Sequence, residues 1–520
     1  MSARMRNADS AWLHMDRPTN LMVVNSVLWF DEPVDLERSR EVLRVRLVER
    51  FPRFHQRVVE PRLGIGVPSW EEDPNFDLDR HIHHIALPAP GDKAALEKLV
   101  SDLMVTPLDR SKPLWDAYLV DGYGSGMAMI SRIHHCIADG IALSRVLFSL
   151  TDAQPDAGIA PPRDDAVGRG LLGSIAAPVK AGVQLAEAGL HEGIEILAHP
   201  TAELTALAAS GSAEARALAK LLLTASDAKT VFSGKLGVAR RVTWSERMPL
   251  EDIKAIGHAT GTTVNDVLVA SMTGALHRYL SGRDSLVGEI RTMVPFNLRQ
   301  LDKPLPRELG NHFGLVYLTL PVGIADTAGR LAEVHRRMEA IKHSPESVLS
   351  YGILEVLGLT PPQIEQRLLD IFAQKTTAVM TNVPGPREPL YFAGTKLAGV
   401  IGWVPAAGTI GMGMSIFSYD GGVTVGFQVD AGLVPDPEAI IADFEREVAA
   451  LDKLATRHRT KPRAARQRRR IRDRASRLRD STEPKLPADR TLSLDAELRV
   501  ARPVGVDDDH GNIFSSRPDT

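Results

Sequence analysis

The sequence predicts an α/β chain built as two lobes with a helical connector between them. Three observations carry that reading. Short β-branched runs alternate with amphipathic stretches on either side of a central segment. That segment, residues 170–230, is rich in Ala, Leu and Glu. Beyond Arg457 the composition turns strongly basic. At 520 residues, with 44% hydrophobic and 24% charged side chains, the chain exceeds one ordinary core but has globular composition.

The elements follow in order. Residues 21–30 (LMVVNSVLWF) form an apolar run closed by Asp31, Glu32 and Pro33, which predicts a strand. Over 36–50, Leu36, Val42, Leu43, Val45 and Leu47 stand among many charges, which predicts an amphipathic helix. Trp115–Val120 and Met127–Ile133 flank the Gly-rich 121–126, a hairpin pattern. Leu143, Val146, Leu147 and Leu150 then fall at i, i+3, i+4 and i+7, one face of a helix. Residues 154–165 read as a linker, and mixed strands and helices resume at Gly237, with a helical pattern over 264–280. Phe444, Val448, Leu451 and Leu454 mark a last helix within 437–455. The expected partition is an N-terminal lobe over 1–160, a helical connector over 161–235, a C-terminal lobe over 236–456 and a tail over 457–520.

Bulk properties exclude several classes. Lys and Arg total 62 against 65 Asp and Glu, a formal charge of −3, so nucleic acid is not an expected partner. The single cysteine, Cys136, rules out an internal disulfide and argues against a cysteine-based metal site. Met1–Asn20 carries Arg4, Arg6, Asp9, Asp16 and Arg17 around no apolar run, so no secretory signal is expected. Leu397–Tyr419 lacks any charge, but Gly402, Pro405, Gly408, Gly411 and Gly413 interrupt it. That pattern predicts strand, loop and strand in place of a membrane span. The expected location is cytoplasmic, or peripheral on the inner face of the cell membrane or on lipid inclusions.

The tail from Arg457 to Arg479 is dense in Arg, opposed only by Asp473, and the rest to Thr520 is polar. Such a segment is either a solvated, disordered tail or a basic helix resting on anionic lipid, with Ala464, Ile471, Ala475 and Leu478 on one stripe. Nucleic-acid contact is a weaker third reading.

Chemistry concentrates in His134-His135-Cys136-Ile137-Ala138-Asp139-Gly140, which follows a predicted strand and opens a predicted helix. Its pattern H-H-x-x-x-D-G fixes four positions, a coincidence expected on the order of once in a thousand such chains. The other pair, His83-His84, has Pro88 where the aspartate would stand and serves as an internal control. A histidine at a strand end projects from a fixed backbone, and its ordinary pKa of about 6.5 leaves it able to accept a proton at neutral pH. An alcohol is a poor nucleophile until its proton is taken, so this is the help it requires. Asp139 suits a helix cap or an ion pair with a distant Arg, and Gly140 suits a tight strand-to-helix junction. Zinc is disfavoured, because H-E-x-x-H and cysteine clusters are missing. His134 by itself also fits a core histidine, and Cys136 a small apolar filler.

With these residues in view, the sequence resembles the bacterial wax ester synthase/diacylglycerol acyltransferase family, within the coenzyme A-dependent acyltransferases. The resemblance spans nearly all of 8–455. It runs through ADSAWLHMDRP, PLDRSKPLW (107–115), HHCIADG, TVNDVLVA (263–270), VPFNLR and GNHFGLVYLTLP (310–321), ending with TNVPGP (381–386) and VDAGLVPDP. It implies two chloramphenicol-acetyltransferase-like lobes with an active-site channel between them, and His135 as general base. By the same resemblance His134 and Asp139 complete the motif, Asn265 lies in a segment needed for activity, and Pro113, Leu114 and Trp115, with Gly140, belong to substrate binding. Asn382, Pro384, Gly385 and Pro386 read as a rigid turn.

The expected reaction moves a fatty acyl group from acyl-CoA, a co-substrate and not a resident cofactor, to diacylglycerol or a long-chain alcohol. Asn265 or Ser415 is the expected hydrogen-bond donor to the tetrahedral oxyanion. Expected partners are acyl-CoA, the lipid alcohol and, through the basic tail, an anionic membrane or lipid droplet; no metal is expected. The competing readings are a condensation-type acyltransferase using a carrier-protein thioester or a complex lipid alcohol, and a non-catalytic lipid-binding homologue.

Overall fold

The computed structural model describes residues 2–61, 66–160, 224–298, 304–342, 350 and 362–457. The helical connector falls mostly outside the described residues, and so does the tail from 458 onward.

Helix α1 (Asn7–His14) precedes strand β1 (Val23–Phe30). Helix α2 (Leu36–Val42) starts at Asp35, whose carboxylate accepts the Arg38 N–H at 2.9 Å, as a helix N-cap should. The helix predicted over 36–50 does not stay α: Leu43–Val48 winds as a π-helix. Strand β2 (Ile82–Ala86) and helix α3 (Lys93–Met104) lead into the predicted hairpin, β3 (Trp115–Tyr123) and β4 (Gly126–His134). Its strands are longer than expected and its turn shrinks to Gly124-Ser125. Helix α4 (Gly140–Ser149) follows the histidine motif.

The second half contains β5 (Arg240–Trp244), α5 (Val264–Ser281), β6 (Ile290–Asn297), β7 (Phe313–Leu320) and α6 (Pro362–Ala373). Then come β8 (Ala378–Pro384), β9 (Thr395–Trp403), β10 (Met412–Tyr419), β11 (Gly422–Asp430) and a last helix over 437–457. The uncharged stretch 397–419 is indeed strand, loop and strand. Among the described residues no helix is long and apolar enough to cross a membrane.

Two seven-stranded sheets organise the lobes. The first runs β2-β3-β4-β1-β9, continued by Tyr391–Phe392 and Thr151–Asp152. The second runs from Met248–Pro249 through β11-β10-β8-β6-β7, with β5 also on β11. β4 reads as a near-continuous apolar run because it is central and covered on both faces, and all but one of its residues are buried. Each lobe has its own large core, one around Trp115 and Trp403 and the other around Tyr279 and Phe427.

The sheets do not follow the linear partition. β9 leaves the C-terminal half and pairs antiparallel with β1, Gly402 opposite Ser26 and Trp403 opposite Asn25. The first sheet is therefore completed by a strand some 370 residues downstream of its partner, and the two lobes share a wall.

Candidate active site

Both lobes contribute to one large cavity. Many of its strand residues follow the two-residue spacing of one strand face: Val24 and Ser26 from β1, Trp115 and Ala117 from β3, Met293, Pro295 and Asn297 from β6, and Phe313, Leu315 and Tyr317 from β7. The helix face read from the sequence, Leu143, Val146, Leu147 and Leu150, also faces this cavity, opposite Leu43 and Leu47 of the π-helix. The empty space amounts to about 1860 Å³ with its mouth included. Its mostly apolar lining suits a long-chain substrate.

His135 lies on the wall of this cavity, one residue past the end of β4. Its backbone is held at both ends. The N–H donates to Met22 O at 2.7 Å, and the carbonyl accepts from Asn311 Nδ2 at 2.8 Å. Its imidazole stacks on Trp12, centroids 4.1 Å apart and planes at 19°, with Phe313 tilted behind at 5.6 Å. Nδ1 makes no hydrogen bond of normal geometry. Burial pulls the pKa down to about 4; the Asp139 carboxylate and the residue's own backbone carbonyl oppose that fall. The ring is therefore neutral across the physiological range, with a lone pair open to a proton though a weaker base than an exposed histidine.

Asp139 takes the cap role expected of it. Oδ1 accepts the Ala142 N–H at 2.8 Å and caps α4, while Oδ2 accepts the His312 N–H at 3.0 Å from the other lobe. One buried carboxylate thus ties the motif to the β7 side of the cavity. Gly140 follows because a Cβ there would stand 3.0 Å from Val404 Cγ1.

His134 is next to His135 in sequence but off the cavity lining. Its Nδ1 accepts the Cys136 N–H at 3.1 Å, so the proton sits on Nε2, which faces Asp16 Oδ2 at 3.2 Å. Burial works to raise the Asp16 pKa, but hydrogen bonds from His134, the Met22 amide and Arg110 outweigh it and leave it lowered to about 2. The geometry of His134 is that of a core anchor. Cys136 is fully buried, and burial pushes its thiol up.

The Pro113-Leu114-Trp115 segment divides similarly. Trp115 lines the cavity, held by its indole N–H on Phe54 O at 2.9 Å and by a stack on His81 at 4.6 Å. The Leu114 carbonyl accepts the His134 N–H at 3.0 Å, and neither Leu114 nor Pro113 reaches the lining.

Neither expected oxyanion donor is on the cavity lining. Asn265 is exposed in the first turn of α5, off the lining, and its Oδ1 accepts from Asn382 Nδ2 at 2.7 Å. Ser415 is buried behind the wall, 3.2 Å from Thr381 Oγ1. The groups that do line the cavity are their partners, Thr381 and Asn382. Asn382 is not part of a turn: it sits in β8, and the chain turns only after Pro384.

Sequence reasoning also gave no role to Asp9, Trp12, Asn311 and Phe313. Asp9 Oδ1 accepts both the backbone N–H and the side-chain amide of Asn311 at 2.8 Å each. Gly310 has φ +115°, a backbone few other residues adopt, and a Cβ there would meet Asp9 Oδ2 at 3.1 Å. All four belong to the ADSAW and GNHFG segments, whose place in the family resemblance was the available signal. Among the described residues no group of three or more His, Cys, Asp or Glu is placed to hold a metal ion.

Comparison with known proteins agrees with this architecture. The family model for the wax ester synthase/diacylglycerol acyltransferase catalytic domain matches residues 5–268, and that for the C-terminal domain of the same family matches 309–452. A probable diacylglycerol O-acyltransferase of Mycobacterium tuberculosis strain H37Rv is 27% identical over 418 residues, covering 78% of this chain and 86% of the relative. A second, putative one from that strain is 26% identical over 473 residues, covering 86% and 90%. The wax ester synthase/diacylglycerol acyltransferase from Marinobacter aquaeolei VT8 superposes with a TM-score of 0.63 at 23% identity, over 87% of this chain and 100% of that one. The first condensation domain of the calcium-dependent antibiotic synthetase does so with a TM-score of 0.57 at 17% identity, over 88% and 96%.

Proposed function

The chain belongs to the wax ester synthase/diacylglycerol acyltransferase family and is an acyltransferase; on that premise we propose that it transfers a fatty acyl group from acyl-CoA to diacylglycerol or a long-chain alcohol, with His135 as general base. The observation that carries the reading is the neutral, buried imidazole of His135 on the wall of an apolar two-lobe cavity.

In this reaction the acceptor hydroxyl donates to His135, which takes its proton as the oxygen attacks the thioester carbonyl. The tetrahedral oxyanion needs a hydrogen-bond donor. Asn382, which lines the cavity and donates one amide N–H to Asn265, has a second amide N–H to offer as that donor, a contribution of about 3 kcal/mol. Asn265 then acts by holding Asn382. Collapse expels the coenzyme A thiolate, which receives the proton from His135, leaving the ester and regenerating the neutral base. The protein forms no acyl-enzyme, so kinetics are sequential. The apolar lining stabilises long chains by about 0.8 kcal/mol per buried methylene. Residues 457–520 supply the contact with an anionic membrane or lipid droplet.

The test is product formation by purified protein from palmitoyl-CoA with hexadecanol and, separately, dioleoylglycerol. Triacylglycerol or wax ester is expected, and the faster acceptor identifies the preferred one. Turnover of a carrier-bound acyl thioester in preference to the CoA ester, or trapping of an acylated residue, contradicts the proposal.

A further inference from the structure

The N-terminal helix α1 approaches His135 from outside both sheets. Two of its side chains, Asp9 and Trp12, are one turn apart and therefore on one face. Each ends at a different part of the same residue. Trp12 covers the imidazole face, 4.1 Å away and nearly parallel. Asp9 binds Asn311 twice, and the Asn311 amide donates onward to the His135 carbonyl. Asp9 and Asn311 are both buried, so neither contact is diluted by water. The helix is itself anchored at its far end. Past it, Arg17 grips Asp370 of α6 at 2.7 and 3.2 Å, and the Gln366 side chain donates to His14 O at 3.4 Å.

We propose that α1 is a two-point clamp on His135, in which Trp12 fixes the plane of the imidazole and Asp9, through Asn311, fixes its backbone carbonyl. Asp9 and Trp12 are positioning residues: they touch the base and its support, not the reacting atoms. The physical need is clear from the ring itself. Nδ1 has no hydrogen bond of normal geometry to orient it, so the packing of Trp12 and Phe313 against the ring bears on its rotation. A ring that rotates away from the hydroxyl loses the aligned geometry that makes proton transfer effectively intramolecular. The asparagine link joins three distant parts of the chain, at positions 9, 135 and 311, so the base is set only when the C-terminal lobe is docked.

The inference rests on His135 being the base, and the test separates the two. Trp12→Leu, Trp12→Phe, Asp9→Ala and Asp9→Asn are assayed in the full chain with palmitoyl-CoA and the better acceptor. Trp12→Leu and Asp9→Ala should lower kcat by between about 10- and 100-fold with both KM values within about twofold. Trp12→Phe, which keeps a stacking face, and Asp9→Asn, which keeps an acceptor oxygen, should recover most of that loss. The second readout does not need turnover. In histidine-labelled protein, the ring resonance that disappears in His135→Gln should titrate at higher pH in Trp12→Leu than in wild type, and unchanged in Trp12→Phe. If wild type makes no ester, the reading of function fails while the titration still decides the clamp. An unchanged kcat and an unchanged His135 titration in Trp12→Leu overturn it, as does a loss in which KM rises in parallel and the conservative variants rescue nothing.

Discussion

The molecule contains two histidine pairs, and their environments differ in nearly every respect. His83 and His84 lie on β2, a strand at the edge of the first sheet, half-exposed. They reach Asp116 at 3.1 Å and Asp121 at 2.6 Å, across the neighbouring strand. His134 and His135 close β4, a central strand of that sheet, and both are buried. The same dipeptide is a half-exposed pair hydrogen-bonded to carboxylates in one place and an anchor plus a cavity-facing ring in the other. The dipeptide therefore carries no chemistry by itself. What separates the pairs is the strand's position in the sheet and the aspartate four residues past the second histidine.

That comparison is sharpened by substitution. The largest effect is expected for His135→Ala: turnover falls by about 10²- to 10⁴-fold, the usual contribution of a positioned base. Some stability is also lost, since the buried ring packs on Trp12 and Phe313, so circular dichroism is used to establish that the variant is folded before turnover is compared. Next is Asp139→Ala, which removes a helix cap and leaves the His312 amide without this buried acceptor. A loss of about 3 kcal/mol in denaturant unfolding is expected, with turnover reduced as well. His134→Ala should cost about 2 kcal/mol of stability by orphaning the Cys136 N–H, while turnover changes far less than in His135→Ala. Equal losses of turnover in His134→Ala and His135→Ala would break the contrast. The smallest effects belong to the control pair. His83→Ala and His84→Ala remove partly exposed hydrogen bonds to Asp116 and Asp121, worth about 1 kcal/mol each, and should leave turnover at wild-type level.

Local pattern made much of this legible. The i, i+3, i+4, i+7 face of α4 was readable because helical spacing is a local property, and it lines the cavity. The H-H-x-x-x-D-G motif marked His135 and Asp139 because strand end, cap and helix start are adjacent in sequence. The fold class followed from the alternation of strand and helix patterns on both sides of the connector. What escaped notice was non-local. That β9 completes the first sheet depends on pairing with β1 across the chain. Asp9 meets Asn311 302 positions away, a contact no window on the sequence contains. Asn265 and Asn382 show the same limit: the motif pointed to a real hydrogen bond but to the partner that faces away from the cavity. The division of labour between His134 and His135 also depended on which way each side chain leaves the end of β4.

The central claim is that burial in the two-lobe cavity, and not the dipeptide, makes His135 the base. The acid limb of kcat/KM against pH tests it most directly, because it reports the free enzyme's essential base. The folded pKa lies below the unfolded one, so between about 6.5 and about 4 the unfolded chain binds a proton here that the folded chain does not. Stability from this group is therefore fully present above about 6.5 and is lost as the pH falls toward about 4. The rate should stay flat through neutrality and fall only as the pH approaches about 4, within the range where the protein remains folded by circular dichroism. A limb near 6.5, the value of a solvent-exposed histidine, or a rate with no acid limb while the fold persists, would contradict it.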